Sequence, residues 1–411
     1  MNSNHPLDQK KVGQGKNALA IRHQNELAAL NYIRTHKEAS RLDLAQALGV
    51  TSQAIAAISR HLVENRLIKK VRKHYTKIAG HPPTIYQLDS EGAYSIGISI
   101  GRSHSDIILV DFCGGIVQRK HLDYDYPDPD EILDYTEKTC KDLIAFLDKE
   151  KNSKPIGIGM SMPYYFHLWD QEFNYPEKVM KKWETYNMHK LITERLGMPI
   201  ILEKDTSASA IGEVLFGNKH SLDSFVYIYI GTFPGGSLIM NGKLLHGHSS
   251  NAGSIGSMLI PESSLMANGN ADASSKMVQL LQRAGLYSLR KYLEQQAIHF
   301  KGYSELYEAL ENDKNIHSHV NTWIDDAAEA IAHVTVSTNA LLDFKAIIID
   351  GAMPDFWIKK IIERSSYYYD QLENRGIIKP EFHQGDHHAD ARSLGSAALP
   401  LYNIFFKHNA I

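Results

Sequence analysis

Thr51, Ser52, Gln53, Ala56, Ser59 and Arg60 recur at spacings that gather them on one face of a helix. Short hydroxyls, one amide, one methyl and one guanidinium are the groups that meet base edges and phosphates in a DNA major groove. Lys69, Lys70, Arg72, Lys73 and Lys77 follow within nine residues, with no acid among them. Lys70, Arg72, Lys73 and Lys77 are expected to lie over a phosphate backbone, which a protein contacts for position rather than for sequence. His246 with His248, and Asp386 with His387 and His388, are metal-ligand types, but they read as solvated loops and no metal is expected. Cys113 and Cys140 are too few for a disulfide framework or a cysteine-rich zinc site and point to a reducing, cytoplasmic setting.

The elements that must carry these residues are legible around them. Leu27, Leu30 and Ile33 form one face of a helix. Ser40 with Asp43 resembles a capping box, and Leu44 and Leu48 are spaced i, i+4. Gly49 supplies a sharp turn. Thr51 or Ser52 caps the next helix, whose apolar face is Ile55, Ile58 and Leu62. Helix, short glycine turn, helix is a helix-turn-helix. Val71, Tyr75, Ile78, Ile85 and Tyr86, broken at Gly80–Pro83, read as the hairpin of a wing. Residues 1–16 read as a flexible arm and 17–88 as the winged helix-turn-helix.

Charge divides the chain at the same place. The net charge is −3, yet residues 1–90 hold 14 Lys and Arg against 6 Asp and Glu, and the remainder holds 30 against 41. A basic head on an acidic body suits one part meeting a polyanion. No apolar run reaches the roughly 18 residues of a membrane span, and the polar N-terminus has no signal-peptide pattern. From Tyr94 onward, strand-like runs (94–101, 105–117, 155–163, 199–205, 223–247, 346–354) alternate with helical ones (128–149, 188–196, 206–215, 274–295, 320–342) in two successive groups. That is an α/β body of two lobes with a cleft between them.

The glycine-cornered hairpins at 97–101 and 231–236 and the glycine turn at 350–353 resemble the sugar kinase/actin-like ATPase fold. EKDTSASAIGEVLFG (203–217) is similar to the E-N-D-x-x-x-x-A-x-x-E signature of the ROK family of repressors and sugar kinases, and residues 230–258 and 391–402 resemble its second phosphate loop, sugar segment and closing helix. The resemblance covers about residues 17–405. It implies a body over 89–411, with lobe one about 92–205 plus a C-terminal helix about 390–405, and lobe two about 206–389. Against the family's kinases the chain departs at chosen points. Ser99 and Arg102 stand in the D-x-G-G-T hairpin, and Phe233-Pro234 interrupt the second phosphate loop. Pro234 has no N–H to give a phosphate. Lys204-Asp205 replace Asn-Asp, Ser254 replaces the sugar-gripping Glu, Ser257 replaces a His, and Tyr164 replaces a Gly; residues 259–275 lack the family's zinc cysteines.

The resemblance thus implies a DNA-binding transcriptional regulator of carbohydrate genes, more often a repressor. Its partners would be double-stranded operator DNA, a carbohydrate-like effector and further copies of itself, as a dimer or tetramer. No cofactor and no catalysis are expected. The effector would meet Tyr164, Lys204, Asp205, Asn251, Ser254 and Ser257, with Lys204 either selecting an acidic ligand or pairing with Asp205. Because the family's wing ends Gly-Arg-Pro where this one ends Gly80-His81-Pro82, His81 is a weaker or pH-sensitive DNA contact. The alternative from another class is an active sugar kinase bearing a DNA-binding domain, which Asp205 favours.

Overall fold

The computed structural model describes residues 8–71, 84–164, 175–219, 222–263, 265 and 276–407, with the side chains of 8–19, 311 and 312 outside that description. Arg72, Lys73, Lys77 and His81 therefore lie outside the described residues, as do Tyr75 and Ile78.

The head consists of α1 (Asp8–His36), β1 (Ala39–Ser40), α2 (Arg41–Leu48), α3 (Ser52–Glu64), β2 (Ile68–Val71) and β3 (Ile85–Leu88). Its strands form a three-stranded sheet in the order β1-β3-β2. Helix α1 begins at Asp8, inside the segment read as an arm. That segment has no apolar face to announce a helix, but extending an existing helix adds one hydrogen bond per residue fixed. Local chemistry sets the next two helices. Ser40 and Asp43 complete the capping box of α2. Gly49 closes α2 in the left-handed conformation (φ 64°), and the Thr51 side chain accepts from the Ala54 N–H to start α3. Leu44, Ile55, Ile58 and Leu62 are buried between the helices.

Lobe one is a five-stranded sheet in the order β6-β5-β4-β7-β8. Its strands are β4 (Tyr94–Ile100), β5 (His104–Asp111), β6 (Ile116–Asp123), β7 (Ile158–Met162) and β8 (Ile200–Lys204). Its outer face carries α4 (Pro129–Lys151), α5 (Glu177–Lys182) and α6 (Met188–Leu196). Then α7 (Asp205–Phe216) leads into lobe two, whose sheet order is β11-β10-β9-β14-β15. There β9 is Phe225–Ile230, β10 Pro234–Met240, β11 Lys243–Leu244, β14 Ala346–Gly351 and β15 Glu381–Gln384. A separate pair, β12 (Leu259–Pro261) and β13 (Met277–Gln279), precedes α8 (Leu286–Gln295), α9 (Tyr303–Asn312), α10 (Lys314–Leu342) and α11 (Asp355–Gln371). Of the stretch 274–295, read as one helix, the described residues are thus strand, short turn and helix. Met277–Gln279 find a strand partner in Leu259–Pro261, and Gly285 then starts α8 as its N-cap.

The described residues close with α12 (Ala391–Leu401) and a short π-helix over Tyr402–Phe406. Helix α12 lies against β4, β7 and α7, tying both lobes together. Ser161 and Ser396 meet at 2.7 Å between hydroxyls in this seam. The head is not tethered loosely. Leu30 and Ile33 of α1 share one continuous core with Ile108, Phe112, Leu215, Tyr402 and Phe406 of the body, and Phe112 meets Phe405 edge-on and stacks on Phe406. Among the described residues no helix is long and apolar enough to cross a membrane.

Candidate functional site

On the head, Ser52, Gln53 and Arg60 of α3 are exposed, as is Thr51, and Ala56 is half-buried beside them. Ser59 is not part of that face: it is buried, and its Oγ donates to the Ile55 carbonyl at 2.7 Å. Position 59 lies one turn beyond Ile55, so it shares the core face, and the back-bonded hydroxyl makes its burial tolerable. Lys70, on β2, is exposed beside Lys69.

Between the lobes lies a cleft of about 310 Å³. Tyr164, Lys204, Asp205, Asn251, Ser254 and Ser257 all line it. Strand ends and helix starts put them there. Tyr164 follows β7, Lys204 ends β8 and Asp205 opens α7. Lobe two contributes the 251–257 loop and the β9–β10 corner. Lys204 is buried, and its Nζ donates across the lobes to the Ala252 carbonyl at 3.0 Å. No ion pair joins Lys204 to Asp205 among the described residues, so the simple internal pair is replaced by an inter-lobe strap. Burial draws the Lys204 ammonium below its usual range, with Asp205 and Glu203 opposing. One Asp205 oxygen accepts the Thr206 N–H at 2.8 Å in the first turn of α7. Ser254 Oγ sits 2.5 Å from Asn251 Oδ1, so Ser254 orients Asn251 as well as facing the cleft. Ser257 is exposed at the rim.

The end of the cleft at the β9–β10 corner is lined from both lobes. Arg102, on the β4–β5 turn, lies over the Phe233 ring with 5.5 Å between guanidinium carbon and centroid. Phe233 in turn packs on Tyr287. Burial draws Arg102 below its ordinary range; Asp205 opposes this and Arg392 adds to it. Arg392 and Tyr229 also line the cleft, and the sequence reading missed both. Neither belongs to a motif that marks a ligand site: Arg392 sits in the closing helix and Tyr229 in a buried strand.

His246 and His248 are exposed, as expected of a solvated loop. His246 pairs with Glu203 at 2.8 Å. Asp386, His387 and His388 are not solvated but half-buried. Asp386 accepts the Asn218 N–H and pairs with Lys219, and the His388 N–H donates to the fully buried Asp350. Beside them Glu213 of α7 is buried; burial pushes its carboxyl up to about 8, while Lys219 and the Asp386 N–H pull the other way. Asp386 moves down, to about 2: burial opposes that, but the Asn218 N–H and Lys219 prevail. Glu213 therefore holds the proton and Asp386 the charge. The folded chain keeps a proton that the unfolded chain releases above about 4.5, so stability falls as pH rises from 4.5 through about 8. Glu213→Gln, which needs no proton, is expected to flatten this slope and to be more stable than the parent at pH 8 by at least ~1 kcal/mol. Thermal melts at pH 6, 7 and 8 check it, and parallel curves for the two proteins would refute the assignment.

Fold and cleft together define a winged helix-turn-helix on a two-lobed, sugar-kinase-like body. The chain belongs to the ROK family, whose model matches residues 95–399. It is 22% identical over 383 residues to the uncharacterized protein y4fQ of Sinorhizobium fredii, covering 93% of this chain and 92% of that one. To the xylose repressor of Bacillus subtilis it is 25% identical over 245 residues, 58% of this chain and 61% of the relative. To the transcriptional dual regulator NagC of Escherichia coli it is 22% identical, over 61% of this chain and 60% of NagC. The matches to these two regulators thus span about three fifths of their lengths. Among solved structures, a ROK family transcriptional regulator homologous to the Escherichia coli MLC protein superposes with a TM-score of 0.65 at 17% identity, covering 93% of this chain and 97% of that one. A ROK glucokinase from Streptomyces griseus superposes at 0.55 and 19% identity, covering 75% of this chain and 99% of that one.

Proposed function

We propose that the chain is a sugar-responsive transcriptional regulator, a repressor in its commoner mode, acting on operator DNA in the cytoplasm as a homo-oligomer. One observation carries the reading. Helix α7 begins in the cleft at Asp205 and ends against the DNA-binding head, where Arg34 of α1 donates to the Val214 and Leu215 carbonyls at 2.8 and 3.0 Å. A ligand that moves the N-terminal end of this buried helix moves the seat of the head. The exposed face of α3 reads bases, and Lys70 with its basic neighbours holds phosphate. The related repressors, named for xylose and for N-acetylglucosamine, support a carbohydrate class of effector. Phosphoryl transfer is disfavoured: Arg102 stacked on Phe233 stands where a nucleotide's phosphates would approach backbone N–H groups, and Asp205 without a donor phosphate transfers nothing.

The test is selection of genomic fragments by the purified full chain at ~0.15 M salt, where non-specific phosphate binding is suppressed. The expected result is a small set of fragments sharing an inverted repeat, with half-sites about 10–10.5 bp apart or a multiple of that. Xylose, N-acetylglucosamine and their relatives are then added to find which changes retention. No enrichment over bulk DNA, together with ATP-dependent phosphorylation of any of those sugars, would replace the regulator with the kinase.

A further inference from the structure

Lobe two holds a second cavity, of about 280 Å³ beside the 310 Å³ of the cleft. It lies between α8, α10 and the turn that follows β13. Tyr287 with Lys291, and Ser288 with Tyr292, are four apart on α8, and both pairs face it. Trp323 of α10 closes it from the core side, where it is buried. Phe233 and Leu281 line this cavity and the cleft alike, so they form the partition between the two spaces.

The wall and the mouth differ in what they offer. On the wall, polar groups are already engaged. Trp323 Nε1 donates to Ser288 Oγ at 3.0 Å, and that hydroxyl donates to the Gly285 carbonyl at 2.7 Å. Both Asp326 oxygens accept from Arg283, at 2.8 and 3.2 Å. The Tyr292 hydroxyl lies 2.9 Å from His319 Nδ1. Half-buried rings remain: Phe233 and Tyr287, tilted at 59° with centroids 5.4 Å apart, and Tyr292 one turn on. Rings in that arrangement receive another ring by stacking or by an edge. At the mouth, the Gln279 and Gln282 side chains each accept the other residue's backbone N–H, which leaves both amide NH2 groups to donate. Lys291 is exposed there, its Nζ 5.6 Å from the Tyr287 centroid and held only loosely, 3.7 Å from Glu294. A sugar needs acceptors as well as donors for its hydroxyls, and the Ser288 and Asp326 oxygens are taken. A flat ring bearing an anionic group suits both parts.

We infer that this cavity is a second ligand site, separate from the effector cleft, for a small aromatic carboxylate. Its ring lies against Tyr287, Tyr292 and Phe233, and its charge meets Lys291 and the Gln282 amide. The site bears on the cleft through the partition: Arg102, which lines the cleft, sits over the other side of Phe233. A compound that fixes Phe233 from behind therefore changes what the cleft holds, and by linkage the cleft changes its affinity in turn. That coupling rests on the regulator reading; the binding itself does not.

The probes are indole-3-acetate and 4-hydroxybenzoate, with neutral indole and phenol beside them, titrated into the full chain by calorimetry and thermal shift. At least one acid is expected to bind saturably and to stabilise the chain. Lys291→Gln should weaken that acid ~3–5-fold, as suits one exposed charge pair, and Lys291→Glu at least ~10-fold, while the matching neutral ring changes less than ~2-fold. Lys291 is exposed, so both variants keep the fold. Tyr287→Leu should weaken acid and neutral ring alike, by ~3–10-fold, since it removes a stacking face. The bound acid should also change retention of the selected operator fragments at least ~5-fold. No binding of either acid to the parent, or binding that Lys291→Glu and Tyr287→Leu both leave untouched, overturns the site. Neutral rings that bind tighter than their acids overturn the carboxylate. Binding through Lys291 with operator retention unchanged overturns the coupling and keeps the site. The same binding by a chain that enriches no DNA fragment keeps the site and removes the regulator.

Discussion

Gly395→Ala is expected to cost a large share of the protein's stability, at a position that touches neither ligand nor DNA. A Cβ at 395 would run into the Ala208 carbonyl and stand 2.6 Å from the Ser209 nitrogen. These are backbone atoms of α7 and cannot turn aside as a side chain tip can. The reverse view is the same: a Cβ on Gly212 would sit 3.0 Å from the Gly395 Cα. Overpacking a core commonly costs 1–3 kcal/mol, occasionally more. Here backbone meets backbone, and roughly 3 kcal/mol or more is expected against a total of about 5–15 kcal/mol. Gly302→Ala is the control, since nothing lies within 4 Å of its Cβ position; it should melt within ~0.5 kcal/mol of the parent. Equal melting of Gly395→Ala and Gly302→Ala would mean that α7 and α12 do not cross in contact. The position matters for function because this crossing fixes the angle between the lobes. A repacked survivor of Gly395→Ala should bind effector with a weakened response on DNA.

What the sequence discloses follows from how local each cause is. The head is legible because its turns are set within four residues: the Ser40–Asp43 box, the left-handed Gly49 and the Thr51 cap each show in the letters. Ser59 misleads because a serine reads as surface, although its i+4 relation to Ile55 places it inside and its hydroxyl closes on a carbonyl of the same helix. In the body, strand and helix alternation is visible, but β13 is decided by a partner strand 16 or more residues upstream and so reads as helix. The cleft divides the same way. Tyr164, Lys204, Asp205, Asn251, Ser254 and Ser257 come forward only through the family motif, since they are spread over 94 positions with no common spacing. Arg392 and Tyr229 had no motif to announce them. Their proximity is made by α12 returning to β9, a contact across 163 positions that no local pattern encodes.

Arg34→Met is expected to separate sensing from DNA binding. The last carbonyls of α7 have no partner within the helix and carry the negative end of its dipole, which a guanidinium suits in both respects. Arg34 occupies that position from α1, with its head 5.5 Å from the Phe406 ring centroid. Burial lowers its pKa to about 10, which leaves it fully charged at neutral pH. Methionine keeps the aliphatic stem and the packing on Phe406 but donates nothing. Effector affinity is set at the other end of α7 and should stay within ~2-fold, and operator affinity without effector within ~3-fold, because α3 is untouched. The effector-dependent change in operator affinity should fall by ~5–10-fold, within the 1–3 kcal/mol usual for coupling between sites. Arg34→Lys, which restores the charge and up to two of the bonds, should recover part of it. Titration of operator DNA with and without effector for the three proteins measures the coupling directly. An undiminished response in Arg34→Met would move the coupling off α7 and onto the apolar core that Leu30 and Ile33 of the head share with Phe112 and Phe406 of the body.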